Sequence, residues 1–242
     1  MAGHSKWKNI QHRKGAQDKK RGKIFTKVGV EIQVAVKLGG DDPDSNPRLR
    51  TALAKARAAN MPKDVITRSI KKASGDGGGA DYMEKNYEGY GPGGVAIFVE
   101  CLTDNVNRTV MEVRHAFSRN GGNMGNEGSV AWMFDRKGLI IYEADKIENF
   151  DELFEVAIEN GAEDVTNEDG QIEVSCDVPD FLSLKEALDE KLGVEPAVAE
   201  LARIPQNTQE ITPEQNETLE KLIEALEDKD DVQNVFHNGE TA

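Results

Sequence analysis

The chain has 242 residues, with 30 Lys or Arg, 44 Asp or Glu and a formal net charge of −14 at pH 7. A hydrophobic content of 38% beside 31% charged residues indicates a polar globular protein of one to three domains. The most apolar stretch, residues 28–38, is interrupted by Glu31, Gln33 and Lys37, which excludes a membrane-spanning segment there.

Targeting signals and cysteine usage point to a reducing compartment. The first residues include no apolar core of the kind found in secretory signals, so we expect none. Cys101 and Cys176 are far apart and form no CxxC pair, which argues against a disulfide scaffold or a zinc ribbon. We therefore expect a cytoplasmic protein, although an organellar location is compatible with the same observations.

The charges are separated along the sequence. Residues 1–80, called the head below, contain 18 Lys or Arg and 7 Asp or Glu. Residues 81–242, called the body, contain 12 Lys or Arg and 37 Asp or Glu. Separation of this kind is typical of proteins whose basic part binds a polyanion. The head is therefore predicted to contact nucleic acid.

The head is predicted to consist of a basic arm followed by three helices. Residues 1–23 contain little to bury and predict an arm that is mobile or partly ordered. Apolar residues then recur every three or four positions from Phe25 to Val36, as on one side of a helix. A second helix is expected to begin at Pro47 and a third after Pro62. Glycines make residues 75–79 a flexible linker.

The body is predicted to be α+β. Its middle part has a strand at 94–102, a helix at 105–120 and a strand at 129–134, and a terminal helix (213–226) and strand (232–237) are expected to return to that sheet. Between them lies a βαββαβ, ferredoxin-like order: strand 138–143, helix 149–160, hairpin 162–176, helix 183–192 and strand 197–204. The sequence thus predicts a multidomain α+β protein, with a head (1–80), a discontinuous middle domain (81–136 and 206–242) and an inserted ferredoxin-like acidic domain (137–205).

Several long segments carry a resemblance to a known family. MAGHSKWKNIQHRKGAQDKKRGKIF, NPRLRTALAKARAANMPKDVITRSIKKASG, YEGYGPGGVAIFVECLTDNVNRT and RNGGNMGNEGSVAWMF closely resemble the YebC/PmpR family, and the match covers essentially the whole chain. The resemblance implies the same three-domain arrangement. It also implies a DNA-binding transcriptional regulator or, in another view of the family, a factor that acts on the ribosome during translation of proline-containing stretches. Mitochondrial relatives are translational activators of cytochrome oxidase.

Basic residues of the head are the candidate nucleic-acid ligands. Eight of them lie in the first 23 residues and would give salt-sensitive, sequence-tolerant binding. Trp7 is placed either to stack on an unpaired base or to pack against the helices. The helical cations either contact phosphate or form a solvated face. The candidates are Lys6, Trp7, Lys8, Arg13, Lys14, Lys19, Lys20, Arg21, Lys23, Arg48, Arg50, Lys55, Arg57, Arg68, Lys71 and Lys72.

Other kinds of site are not indicated. The glycine-rich runs 89–95 and 120–129 lack the order of a phosphate-binding loop and predict turns. The histidines at 4, 12, 115 and 237 have no metal-ligand spacing, and no nucleophile with a base can be assembled. We expect a non-enzymatic protein without cofactor or metal.

Three functions follow as hypotheses. The first is a DNA-bound regulator of transcription, and the second is an RNA- or ribosome-bound translation factor. The acidic body would be repelled by phosphate and turn outward, which suits an adaptor on structured RNA more than a repressor lying flat on DNA. The third is a protein-interaction module whose acidic body binds a basic protein. A monomer is expected.

Overall fold

The computed structural model describes residues 17–75 and 81–241. The chain is α+β and divides into two compact units. Among the described residues, one unit is Phe134–Gln206, and the other joins residues 17–75 and 81–133 to residues 207–241. The head and the middle part of the body therefore belong to the same unit. Across 17–75 and 81–241, no helix is long and apolar enough to cross a membrane.

Three helices make up the described part of the head. Their apolar sides meet in one core, where Ile32, Leu49 and Ala56 are fully buried. The second helix begins at Pro47, as predicted, because proline's fixed φ suits the first helical position. The helices are α1 (Gln17–Gly39), α2 (Pro47–Ala58) and α3 (Lys63–Ser74).

Asn46 joins the end of α1 to the start of α2. Its side-chain oxygen accepts a hydrogen bond from Leu49 N at 3.1 Å and so caps α2. Its Nδ2 donates to the carbonyls of Ala35 and Gly40, both at 2.8 Å. The residue is 4% exposed, and its bonds to Leu49 and Ala35 lie away from solvent. One side chain thereby sets the angle at which the first two helices meet.

The middle part of the body contains two helices and six strands, which are β1 (Met83–Tyr90), β2 (Ala96–Thr103), α4 (Val106–Arg119), β3 (Asn123–Met124), β8 (Gln209–Ile211), α7 (Pro213–Glu227), β9 (Val232–His237) and β10 (Gly239–Thr241). Four of the strands form an antiparallel sheet in the order β3-β1-β2-β9, and β8 and β10 form a separate parallel pair. Helices α4 and α7 cover one face of the sheet, where Val99, Phe117 and Leu222 are fully buried. The last long strand pairs with β2, which confirms its predicted return.

The second unit has the predicted ferredoxin-like order. Its elements are β4 (Phe134–Glu143), α5 (Phe150–Glu159), β5 (Ala162–Glu168), β6 (Gln171–Cys176), α6 (Phe181–Leu192) and β7 (Val198–Pro205). The antiparallel sheet has the order β5-β6-β4-β7, so the first and third strands of the βαββαβ unit are central. Tyr142, Leu153 and Leu184 are fully buried between the sheet and its two helices.

Two predicted elements differ in the structure. Residues 17–23 belong to α1 and not to an arm, because Lys, Arg and Gln are good helix formers and extend the helix beyond its apolar part. The predicted strand 129–134 is wrong: Ala131–Met133 is a short 3₁₀ helix, and β4 begins only at Phe134. The strand β1 was not predicted, since MEKNYEGY is mostly polar.

A buried carboxylate explains why residues 129–134 do not form the predicted strand. Glu88 on β1 is 4% exposed, and its two oxygens accept hydrogen bonds from the backbone N–H groups of Gly128, Val130 and Ala131 at 2.7, 2.6 and 2.7 Å. These three N–H groups are therefore unavailable for the hydrogen bonds of a β-sheet. Charge-assisted bonds of this kind fix the loop over 125–131 on the sheet.

Replacing Asn46 tests the helix junction. We expect Asn46→Ala to lower the free energy of unfolding by about 2–4 kcal/mol, because it removes the cap of α2 and the two hydrogen bonds that the side chain donates to α1 and the turn after it. Urea unfolding followed by circular dichroism measures this. Asn107→Ala is the control, since Asn107 is exposed on α4. Equal stability of the two variants would contradict the assigned role of Asn46.

Glu88→Gln tests the buried carboxylate. The amide turns two donors towards backbone N–H groups, so we expect a loss of about 1–3 kcal/mol in unfolding free energy. Hydrogen exchange at Val130 and Ala131 should accelerate. Glu127→Gln removes an exposed carboxylate from the same loop and should leave both measurements unchanged. Unaltered exchange in Glu88→Gln would show that the loop is held by something else.

Candidate nucleic-acid interface

The sixteen predicted interface residues, fifteen cations and Trp7, fall into three groups in the structure. Lys6, Trp7, Lys8, Arg13 and Lys14 lie outside the described residues. The next three, Lys19, Lys20 and Arg21, lie in the first turns of α1. The remaining eight lie on the described surface of the head, some with protein partners and some without.

Three cations of the head are tied to protein groups from other segments. Arg48 forms an ion pair with Glu84 on β1 at 2.5 Å, and Lys55 pairs with Glu31 on α1 at 2.9 Å. Arg50 donates to the carbonyls of Pro43 and Asp44 and so holds the turn before α2. All three side chains therefore contact other parts of the protein, which the spacing of basic residues along each helix did not indicate.

Two further cations have weaker partners. Lys23 lies 3.3 Å from Asp228 Oδ1 and also donates to the carbonyl of Asp228 at 3.0 Å. Arg68 pairs with Asp64 one turn earlier on α3, at 3.3 Å, and both side chains are largely exposed. Exposed pairs of this type are worth about 0–1 kcal/mol. Arg68 can therefore exchange Asp64 for a phosphate at little cost.

A set of exposed cations on α2 and α3 forms no ion pair with the described residues. Arg57 lies in the last turn of α2, and Lys71 and Lys72 lie in the last turn of α3. Positive charge at these positions also interacts favourably with the helix dipole. Lys63, which the sequence analysis missed, is the first residue of α3. A cation there opposes the dipole, so helix stability does not explain it.

The head is fastened to the middle sheet. Val30 and Val34, on the side of α1 away from the head core, pack with Leu102 of β2 and Tyr82. Lys27 Nζ donates to the carbonyl of Glu227 at the end of α7, at 2.7 Å. The cations of the head therefore lie on a helix bundle that packs on that sheet through α1.

The glycine-rich run over 120–129 was predicted to form turns, and in the structure its turns flank the two-residue strand β3. Its Ser129 carbonyl accepts hydrogen bonds from Trp132 Nε1 at 3.2 Å and from Tyr90 Oη at 3.1 Å. Trp132 is 66% exposed. The loop thus presents an aromatic ring at the surface, although nothing in the sequence marked this tryptophan as exposed.

Metal and thiol chemistry find no support in the described part of the chain. No group of three or more His, Cys, Asp or Glu side chains is arranged to hold a metal ion there. Both cysteines are buried, and burial raises the pKa of the Cys101 thiol to about 12 and that of Cys176 to about 11. Neither thiol has the lowered pKa of a nucleophile.

Comparison with known proteins covers nearly the whole chain. Residues 5–76 match the TACO1/YebC N-terminal domain, and residues 82–239 match the TACO1/YebC second and third domains. Two relatives, each called "Probable transcriptional regulatory protein", come from Geotalea uraniireducens and Syntrophotalea carbinolica. They are 55% and 57% identical over 238 residues, which is 98% of this chain and 95% of each relative.

A solved structure has the same fold. The crystal structure of a conserved hypothetical protein from Aquifex aeolicus matches with a TM-score of 0.82 and 45% identity, and the match covers 93% of both chains. The two family models together span the head and the body, and the two relatives are more than half identical to the chain over almost their full length. The solved structure agrees with the α+β fold described above. The chain belongs to the TACO1/YebC family.

Proposed function

We propose that this protein is a non-enzymatic regulator of gene expression that binds nucleic acid through its basic head. The observation that carries the proposal is the exposed set Arg57, Lys63, Lys71 and Lys72, which has no ion-pair partner in the described residues. This set of exposed cations, on a head attached to a body with 37 acidic and 12 basic residues, is suited to contact with a polyanion.

Phosphate contacts explain this arrangement physically. Each neutralised phosphate releases counterions, so a cluster of lysines and arginines gives binding that falls steeply with salt. The body has the same sign of charge as the nucleic acid and is repelled. Binding through the head would therefore leave the acidic body directed away from the phosphates.

Control of transcription on DNA is the first form of this function. Two relatives more than half identical to the chain are each called "Probable transcriptional regulatory protein". Helices α2 and α3 are joined by a short turn over 59–62, as in helix–turn–helix proteins. The sequence of α3, KDVITRSIKKAS, has cations that can contact phosphates or guanine edges, but no Asn or Gln to pair with adenine.

Action on RNA or the ribosome is the second form. The strongly acidic body favours it, because an outward-facing body can contact basic proteins in a ribonucleoprotein while the head holds RNA. A regulator lying flat on a DNA duplex would gain nothing from such a body. Both forms share the head as the binding element.

Charge reversal on the head tests nucleic-acid binding. We expect the triple variant Arg57→Glu, Lys71→Glu, Lys72→Glu to weaken binding to DNA or RNA at least about tenfold at physiological salt. The slope of log K against log salt should become shallower by about 0.9 for each duplex phosphate that the variant no longer neutralises. Fluorescence anisotropy over a salt series measures both quantities.

A matched triple variant separates position from net charge. Lys85→Glu, Arg114→Glu, Lys221→Glu changes three exposed cations of the body and gives the same net charge as the head variant. Its affinity should stay close to that of the wild type. Equal losses in the two triples would mean that net charge, and not the head, governs binding.

Crosslinking in cells distinguishes transcription from translation. We expect ultraviolet crosslinking, followed by sequencing of attached DNA and RNA, to recover discrete promoter regions if the first form holds, with loss of those reads in the head triple. Reads confined to ribosomal RNA and lost in the same variant would establish the second form. Recovery of neither nucleic acid above an untagged control would contradict the proposed function.

A further inference from the structure

A groove of about 310 Å³ lies between α1 and α3 and extends to Tyr82, just before β1. Gly29 and Ser69 both line it and lie close together, since a Cβ at Gly29 would be 3.2 Å from Ser69 Oγ. Phe25 and Val65, each four residues earlier on its own helix, also line the groove. Its volume is at the lower end of the range of small-ligand sites, about 300–1,000 Å³.

The lining combines apolar and cationic groups. Phe25, Val65 and Tyr82 are partly buried and give the groove two aromatic rings and an aliphatic surface. Arg68 and Lys72, both exposed and one turn apart on α3, lie at the same groove. Both are predicted interface residues, and the structure brings them to the same cavity. Aromatic rings beside cations are the elements with which proteins hold unpaired bases and their phosphates.

A buried polar atom also lies at the groove. Gln33 lines it and is 7% exposed, and its Nε2 donates to the carbonyl of Gly29 at 3.1 Å. Its Oε1 is buried and accepts no hydrogen bond from the described residues. An unmet buried acceptor is costly in the free protein, and a turn of the Gln33 side chain into the groove would bring it to the amino or imino group of a base, a donor that satisfies it.

We propose that this groove binds one unpaired base of a single-stranded nucleic-acid segment, with the flanking phosphates at Arg68 and Lys72. The inference rests on the proposed function, because the same head supplies the surrounding cations. A base within a duplex presents only its edges and cannot enter between the helices, whereas an unpaired base offers a face for stacking and a free pairing edge. The groove thereby gives the protein a preference for unpaired over fully paired strands.

Filling the groove tests the proposal. Thr26 lines the groove and is exposed on α1, and Thr67 is exposed on α3 outside it. Each hydroxyl donates to the carbonyl four residues earlier, so the two positions are matched. Thr26→Cys and Thr67→Cys are each modified with N-ethylmaleimide; the native cysteines are buried with raised thiol pKa values and should stay unmodified, which mass spectrometry verifies.

Binding is measured for a short unstructured RNA and for the same strand in a duplex. We expect the modified Thr26→Cys protein to bind the single strand at least about fivefold more weakly, the effect of losing one stacked base, with duplex binding unchanged. Modified Thr67→Cys should match the wild type with both probes. Unchanged single-strand affinity, or equal losses for both probes, would overturn the groove assignment but leave head binding intact. Failure of the wild type to bind either probe would overturn the proposed function as well.

Gln33→Met provides a second test, because it keeps the side-chain length and removes the unmet oxygen. We expect single-strand affinity to fall about threefold or more while the thermal unfolding midpoint is retained or rises. A purely structural glutamine would give the opposite pattern, a lower midpoint with unchanged affinity, and would refute a ligand role for Oε1.

Discussion

Helix α1 is packed from two sides, and the placement of the head depends on it. One side, with Ile32 and Val36, closes the head core against α2 and α3. The other, with Val30 and Val34, packs on Leu102 of the middle sheet. Because both sides are apolar, residues 28–36 are almost entirely buried. The basic head is consequently part of the same compact unit as the middle part of the body.

Opposite charges reinforce that attachment where the two parts meet. Arg48 pairs with Glu84, and Lys23 with Asp228, so the body neutralises cations on its own side of the head. Lys63, Lys71 and Lys72 have no such partners among the described residues. The same acidic residues that hold the inner cations would repel a phosphate backbone, which leaves the outer cations of α2 and α3 as the surface open to a polyanion.

The sequence predicted what depends on local pattern and missed what depends on distant contacts. The 3.6-residue periodicity located the helices, and the βαββαβ order located the ferredoxin-like unit, since each is encoded within short windows. The polar strand β1 was missed because its pairing with β2 and the burial of Glu88 come from the fold. For the same reason, the basic character of the head was readable from the sequence, but the partners of Arg48 and Lys55 and the groove beside Arg68 were not.

Lysine footprinting tests the central claim, that the head and not the body contacts nucleic acid, most directly. The native protein is reductively methylated with and without a saturating nucleic acid, and each lysine is quantified by mass spectrometry. The account predicts protection of Lys63, Lys71 and Lys72, with Lys85 and Lys221 on the body modified equally in both states. Protection of Lys85 and Lys221, with the α3 lysines unprotected, would contradict it.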